Sequence, residues 1–431
     1  MPDLAATLDG ELFRPDSPGY DAARRPVNVA YQDVRPRLVV RCRSVSDVVN
    51  AVRYAIRTGD RVALRGGGHC FAGRSSTDGI LLDLSGLDGI SVAGEIATIG
   101  AGARLAQVYS ALHTHGRTLP VGCGPTVGIT GLTLGGGIGL LGRRYGLTCD
   151  RLIGVQVVLA DGSVVDCDED HEPDLFWALR GAGGGQFGVV TVLRFATVPE
   201  PLTTRIEARW SGVALEEVVA AWQAWAPDAP DQLTVNLSVA SEPGVPMEAT
   251  FFGASLLGEE PTRELLHSFV SSAGRADSME LRAGLPFQRL KGTFADPRGV
   301  PAVRMRSEFF SRSMSERTLG SLLTQLRKGG REIAFTAMGG AYNRVAEDAT
   351  AFAHRGERFL LEHIGEADDP WVDESWATAH VDGSGRVYPN FPDPALPDWA
   401  PAYHAGNYPR LVAVKNAYDP DRLFTFVQGV S

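Results

Sequence analysis

Cysteine is scarce in this chain, uninterrupted apolar runs are short, and basic residues are outnumbered. Five cysteines (Cys42, Cys70, Cys123, Cys149 and Cys167) are too few, and odd in number, for a disulfide framework. None sits in a Cys-x-x-Cys pair, so a zinc site is not expected and no metal is assigned. No stretch of 18 apolar residues occurs, which excludes a membrane-spanning helix. The start, Met1-Pro2-Asp3-Leu4-Ala5-Ala6, lacks a basic segment followed by an apolar one, so a cytoplasmic protein without a secretory signal is expected. Lys and Arg number 41 against 51 Asp and Glu, a net charge of −10, which argues against a nucleic-acid partner.

Glycine, by contrast, is abundant. There are 50 in 431 residues, and 28 of them fall within residues 61–190. Clustered glycine outside a repeat marks backbone that turns tightly or approaches a ligand closely. Short strands are predicted at 37–42, 62–65, 79–84, 96–99, 155–159 and 189–195. Helices are predicted from Ser46, over 105–115 and over 174–179. Pro199-Glu200-Pro201 punctuates the chain, and a domain boundary is placed near residue 198. Beyond it, strands at 248–252, 303–309, 332–338 and 358–362 alternate with helices at 215–226, 262–273 and 316–328. That is an α+β layer.

Arg65-Gly66-Gly67-Gly68-His69 follows a strand directly. Consecutive glycines let backbone N–H groups converge on an anion, and His69 stands at the rim of that nest. A lone histidine is ordinarily a satisfied packing residue; the three glycines before this one shift the reading toward a ligand. Gly137-x-Gly139-x-x-Gly142 imitates a dinucleotide fingerprint. That fingerprint needs a regular buried strand before its first glycine, and Gly128–Gly136 is too glycine-rich for one. The stretch from Gly122 to Gly142 reads better as a long functional loop that cradles a pyrophosphate.

Taken in order, these segments resemble the berberine-bridge-enzyme-like flavoprotein oxidases of the vanillyl-alcohol-oxidase (PCMH) type of FAD-binding fold. The resemblance is carried by Arg65–Gly73 (RGGGHCFAG), Ile80–Leu87, Pro125–Gly139 (PTVGITGLTLGGGIG), Arg144–Asp150, Asp174–Val190, Thr350–Arg355 and Asn407–Lys415. It implies a two-subdomain FAD domain, residues 1–198 completed by 395–431. A substrate domain, 199–394, would bring an antiparallel sheet backed by helices. It further implies FAD bound covalently through His69, in a groove formed by Arg65, Gly66, Gly67, Gly68, Gly73, Gly122, Gly124, Thr126, Val127, Gly128, Gly131, Gly135, Gly136, Gly137, Gly142, Val157 and Asn407. Relatives with a second flavin bond use a cysteine at the place of Gly124, so Cys123 is one residue early and a single bond is expected. Val127 falls where oxygen access is governed. Cys70 and Gln186 stand where Ser and Asn are usual.

The implied reaction is hydride transfer from an alcohol carbon, in a sugar hemiacetal or a secondary-metabolite hydroxyl, to flavin N5. Reoxidation by O2 gives hydrogen peroxide. A dehydrogenase with another acceptor and a flavin carrier without turnover are the alternatives. Tyr388 and Asn390 match the family's Tyr-x-Asn-Tyr segment, but Phe391 replaces its second tyrosine. Tyr342, Arg355 and His354 are the other candidates for the chemistry.

Overall fold

The computed structural model describes residues 4–211, 215–293 and 303–431. Its first layer is a four-stranded sheet in the order Glu11–Phe13, Leu38–Arg41, Ile80–Asp83, Val62–Arg65, in which the last three strands are parallel. The helix Val45–Thr58 packs Val48, Ala51, Val52 and Ala55 against it. It begins one residue before the predicted Ser46, because Ser44 caps it. The Ser44 hydroxyl accepts from Asp47 N at 3.2 Å, and the Asp47 carboxylate accepts from the backbone of Ser44, Arg43 and Asp9. That reciprocal capping box fixes the start.

A five-stranded antiparallel sheet follows, in the order Ile90–Ala93, Ile96–Gly100, Val189–Ala196, Leu152–Val158, Val164–Cys167. The C-terminal helix Tyr408–Tyr418 buries Leu411 and Val414 in the core beneath this sheet. Lys415 is 1% exposed, donates to the Gln186 and Phe424 carbonyls and pairs with Asp419 at 2.6 Å.

The third layer is a seven-stranded antiparallel sheet. Its order is Ser278–Pro286, Leu202–Ser211, Glu248–Ser255, Leu233–Ser241, Arg331–Ala337, Phe359–Glu366, Val303–Phe310. Three of these strands, 202–211, 233–241 and 278–286, were not expected from sequence. Apolar side chains of one face (Val235, Leu237, Ile333, Phe335, Leu361) pack on helices Leu215–Trp225, Glu259–Ala273, Glu316–Leu326 and Trp371–His380. Because side chains alternate across a strand, Thr234, Asn236, Thr336 and Glu362 occupy the opposite face.

The glycine-rich stretch 122–142 is not one long loop. Ile129–Leu134 is a short helix despite Gly131. Tertiary bonds override its poor propensity: Gly181 and Gly183 donate to the Leu134 carbonyl, and Asn390 Nδ2 to that of Leu132. The turn Gly142–Tyr145 then carries Arg143 toward the seven-stranded sheet. Arg143 is 1% exposed and donates to the carbonyls of Leu233 (2.9 Å), Pro227 (2.8 Å), Ala229 and Met338. Replacing it by methionine strands several buried carbonyls. Arg143→Met is expected to lower stability by about 3 kcal/mol or more, and Arg143→Lys to restore only part of this, since an ammonium cannot span four acceptors. Urea unfolding of the three proteins measures both.

Candidate active site

A cavity of about 900 Å³ runs between the layers, at the large end of small-molecule sites. Glycines from all three clusters line it: Gly66–Gly68 and Gly73, then Gly122, Gly124, Gly128 and Gly131, then Gly184, Gly185 and Gly188. The first two clusters touch backbone to backbone. A Cβ on Gly67 would lie 2.3 Å from Gly128 N, and one on Gly128 would lie 2.4 Å from Gly67 N. No side chain fits in that contact. Arg104, which sequence reasoning missed, pins both loops by donating to the Gly67 carbonyl (2.6 Å) and the Thr126 carbonyl (2.7 Å).

His69 stands in the cavity wall with Nε2 3.0 Å from Thr126 Oγ1. Val127, Cys123, Tyr342, Tyr388 and Asn390 are also wall residues. The remaining predicted residues act at one remove. Arg65 turns away and donates to the carbonyls of Ala23, Arg24 and Ser75, holding the ends of the loop together; burial brings its pKa down to about 10. Gly135 and Gly142 make room for other walls: a Cβ would meet Asn390 Oδ1 at 2.2 Å in the first case and Tyr342 Oη at 1.7 Å in the second. Gly136 and Gly137 pack against Phe352 and Thr148, Val157 lies in the core of its strand, and Thr126 bonds His69 from outside the wall.

Two candidates for the chemistry lie elsewhere. Arg355 is 2% exposed and forms a fork on Asp150 at 2.6 and 2.9 Å. Its guanidinium is therefore engaged in structure. Asn407 likewise donates to the carbonyls of Glu347 and Thr350. His354 is buried between Phe309 and Phe352, and burial drives its pKa down to about 3, so it is a neutral packing residue away from the cavity.

In the cavity wall, three donors converge on the Tyr388 phenol oxygen: Gly137 N and Ile138 N, each at 3.1 Å, and Asn390 Nδ2 at 3.0 Å. A neutral phenol has two lone pairs to offer, so three N–H donors suit the phenolate better. Burial opposes this and outweighs it, pushing the pKa up to about 12. Tyr342 differs: it donates to the Gly139 carbonyl (2.7 Å) while accepting from Gly139 N (3.1 Å), a closed clasp. Phe391 crosses Tyr388 edge to face at 5.0 Å and Phe71 at 5.7 Å.

The seven-stranded sheet supplies the facing wall through Thr234, Asn236, Phe252, Thr336, Leu360 and Glu362. None of these was predicted. Burial, then Glu332 nearby, pushes the Glu362 carboxyl up to about 8. The period-two polar pattern of Thr234-x-Asn236-x-Ser238 was the available signal, since it implies a strand with one uncovered polar face.

The residues present fit a dinucleotide. Arg74 Nε and Ser75 Oγ are buried in the wall with no hydrogen-bond partner, which is the donor chemistry a phosphate or ribose would satisfy. The lysine Lys291, fully enclosed and with its pKa lowered by burial, donates to the Gly122 carbonyl at 2.6 Å next to Cys123.

Comparison with known proteins agrees with this geometry. Residues 36–168 match the family model described as FAD binding domain, and 387–431 the one described as berberine and berberine like. The chain is 32% identical to an uncharacterized FAD-linked oxidoreductase, YgaK, of Bacillus subtilis (strain 168), over 98% of this chain and 97% of the relative. It is 30% identical to the glucooligosaccharide oxidase of Sarocladium strictum, over 99% and 93%. Among solved structures, BBE-like 1 of Physcomitrella patens superposes with a TM-score of 0.92 at 26% identity, covering 99% of this chain and 98% of that one. The chain belongs to the berberine-bridge-enzyme-like FAD-linked oxidoreductases, with their PCMH-type FAD-binding fold.

Proposed function

We propose that the protein is an FAD-dependent oxidase that converts an alcohol to a carbonyl compound, with Tyr388 as the base and His69 as the covalent anchor of the cofactor. The convergence of three N–H donors on Tyr388 Oη, in the wall between the glycine loops and the sheet, carries this reading. FAD, when bound, supplies the two-electron acceptor for the substrate's hydride and returns those electrons to O2 as hydrogen peroxide.

The chain's own residues do the rest. The Tyr388 phenolate takes the hydroxyl proton as the carbinol C–H leaves with its electron pair, so the alcohol loses one proton and one hydride in total. The N–H groups of Gly137, Ile138 and Asn390 hold the phenolate oxygen and oppose the burial that favours its neutral form. Phe391 packs its ring edge to face on Tyr388 and on Phe71, an apolar flank beside the phenol. Val127, a wall residue at the family's oxygen-access position, supports O2 as the acceptor.

Three outcomes test this. Acid precipitation should leave yellow colour on the protein pellet, and His69→Ala should release it; colour released intact from the unaltered protein rules out the covalent bond. Because the base must be ionised and burial pushes its pKa up to about 12, kcat/KM should climb steadily as pH rises toward the alkaline limit of stability. Tyr388→Phe should abolish that slope and lower kcat/KM by about 10²–10⁴-fold, whereas Asn390→Ala, which removes one of three donors, should displace the slope to higher pH. One hydrogen peroxide should appear per substrate oxidised; turnover only with an artificial electron acceptor would refute oxidase action.

A further inference from the structure

His69 stands in the cavity wall on the first glycine loop, and its Nε2 lies 3.0 Å from Thr126 Oγ1 on the second. Main-chain bonds hold both ends of that contact. Arg104 donates to the Gly67 carbonyl, two residues before His69, and to the carbonyl of Thr126 itself. The Gly68 carbonyl accepts from Val27 N at 3.1 Å. On the other side, Val127 N donates to the Gly124 carbonyl at 3.2 Å, and Leu105 N to that of Val127 at 3.0 Å. The two backbones are thus fixed relative to each other, and the contact between hydroxyl and imidazole follows from their register. Thr126 is exposed and lies outside the cavity lining, so its hydroxyl is open to solvent.

A neutral imidazole has one N–H and one lone pair, on different nitrogens. In one tautomer of His69, Nε2–H donates to Thr126 Oγ1 and the lone pair is on Nδ1. In the other, Nε2 uses its lone pair to accept from the threonine hydroxyl. Nε2 is committed to Thr126 in both, and only the first tautomer has a nucleophile for a carbon atom, which is Nδ1. A covalent anchor needs that nucleophile. Once Nδ1 carries a carbon, Nε2 keeps a lone pair and no proton, so it must accept where it had donated. A hydroxyl can play both parts, because it is donor and acceptor at once. A carbonyl oxygen, an amide N–H or an alkyl group cannot.

We propose that Thr126 is the positioning residue for flavin attachment: its hydroxyl holds His69 in the Nε2–H tautomer and directs the bond to Nδ1. This rests on the covalent-anchor reading above. In the attachment step, Nδ1 forms a bond to a methyl carbon of the flavin ring, one C–H bond of that methyl breaks, and Nε2 gives up its proton. That proton leaves through the Thr126 hydroxyl to the solvent beside it. The electron pair of the broken C–H bond ends on O2, which takes it with two protons as hydrogen peroxide. Thr126 then donates to Nε2 and keeps the ring oriented.

Two measurements on the full-length, flavin-loaded protein test this without turnover. One is the fraction of flavin that stays with the acid-precipitated pellet. The other is the ring nitrogen in the bond, read by NMR of the isolated flavin peptide. The unaltered protein should be linked through Nδ1 alone. Thr126→Val keeps the side chain's shape and removes the hydroxyl. It should still carry FAD through gel filtration, with its covalent fraction lowered about tenfold or more and part of the remaining bond at Nε2. Thr126→Ser should restore the fraction to within about twofold, linked through Nδ1. A bond through Nε2 in the unaltered protein overturns the proposal before any variant is made. So does a Thr126→Ser protein as poorly linked as Thr126→Val. Colour released intact from the unaltered protein removes the anchor reading and the proposal with it. Full linkage through Nδ1 in both the unaltered and the Thr126→Val proteins keeps the anchor and removes the proposal alone.

Discussion

A guanidinium that has left water must find acceptors for all its N–H groups, and much of this molecule is arranged around that requirement. Arg143 reaches from the second glycine-rich segment into the seven-stranded sheet and ends on four main-chain carbonyls. Among the described residues no carboxylate pairs with it directly; carbonyl dipoles hold its charge, with Asp231 and Asp228 adding a longer-range attraction. The backbone immediately before it, Gly137 to Gly139, is the piece that meets Tyr388 and Tyr342. The register between the glycine loop and the sheet therefore decides whether three N–H groups arrive at one phenol oxygen. Arg65 applies the same device to the first loop, and Arg104 ties the first loop to the second.

Rigid loops suit the chemistry proposed here. A phenolate is stabilised only by donors already in place, since donors that must reorganise give back much of what they gain. Backbone N–H groups locked by glycine packing and by buried cations meet that condition. The facing wall is built otherwise. It is the uncovered side of a sheet, with side chains at every second residue, and it can change its hydroxyl, amide and carboxyl groups without disturbing the strands. One wall is thus fixed by main-chain contacts and the other is free to specify the substrate.

The parts legible in the sequence were those with strong local signals. Glycine clusters around 66, 128 and 184 stood out in composition and do line one cavity. The strand Val62–Arg65 falls where apolar patterning placed it, and the helix predicted from Ser46 starts at Val45 because Ser44 caps it. Positions whose role depends on distant partners were not legible. Arg355 and Asn407 look like site residues in sequence, yet their side chains are taken up by Asp150 and by two carbonyls. Glu362 gave no local sign at all. Its neighbours Leu360, Leu361 and His363 read as a buried strand, and only the pairing with Ala334 reveals which way it faces. The short helix at Ile129–Leu134 was hidden for the same reason, because its capping donors come from residues 181 and 183.

The cavity draws its walls from residues as early as Val34 and as late as Val427. Lys415 adds a second tie across the same span, since it seats Gln186 beside the third glycine cluster. Few contacts in the site are local in sequence, so closing it requires the ends of the chain to meet late in folding. On a ribosome, a nascent chain holding only the first two glycine clusters would lack both the sheet wall and the C-terminal wall. The groove that would take the cofactor is therefore complete only once the last wall residues, Thr425 to Val427, have been made.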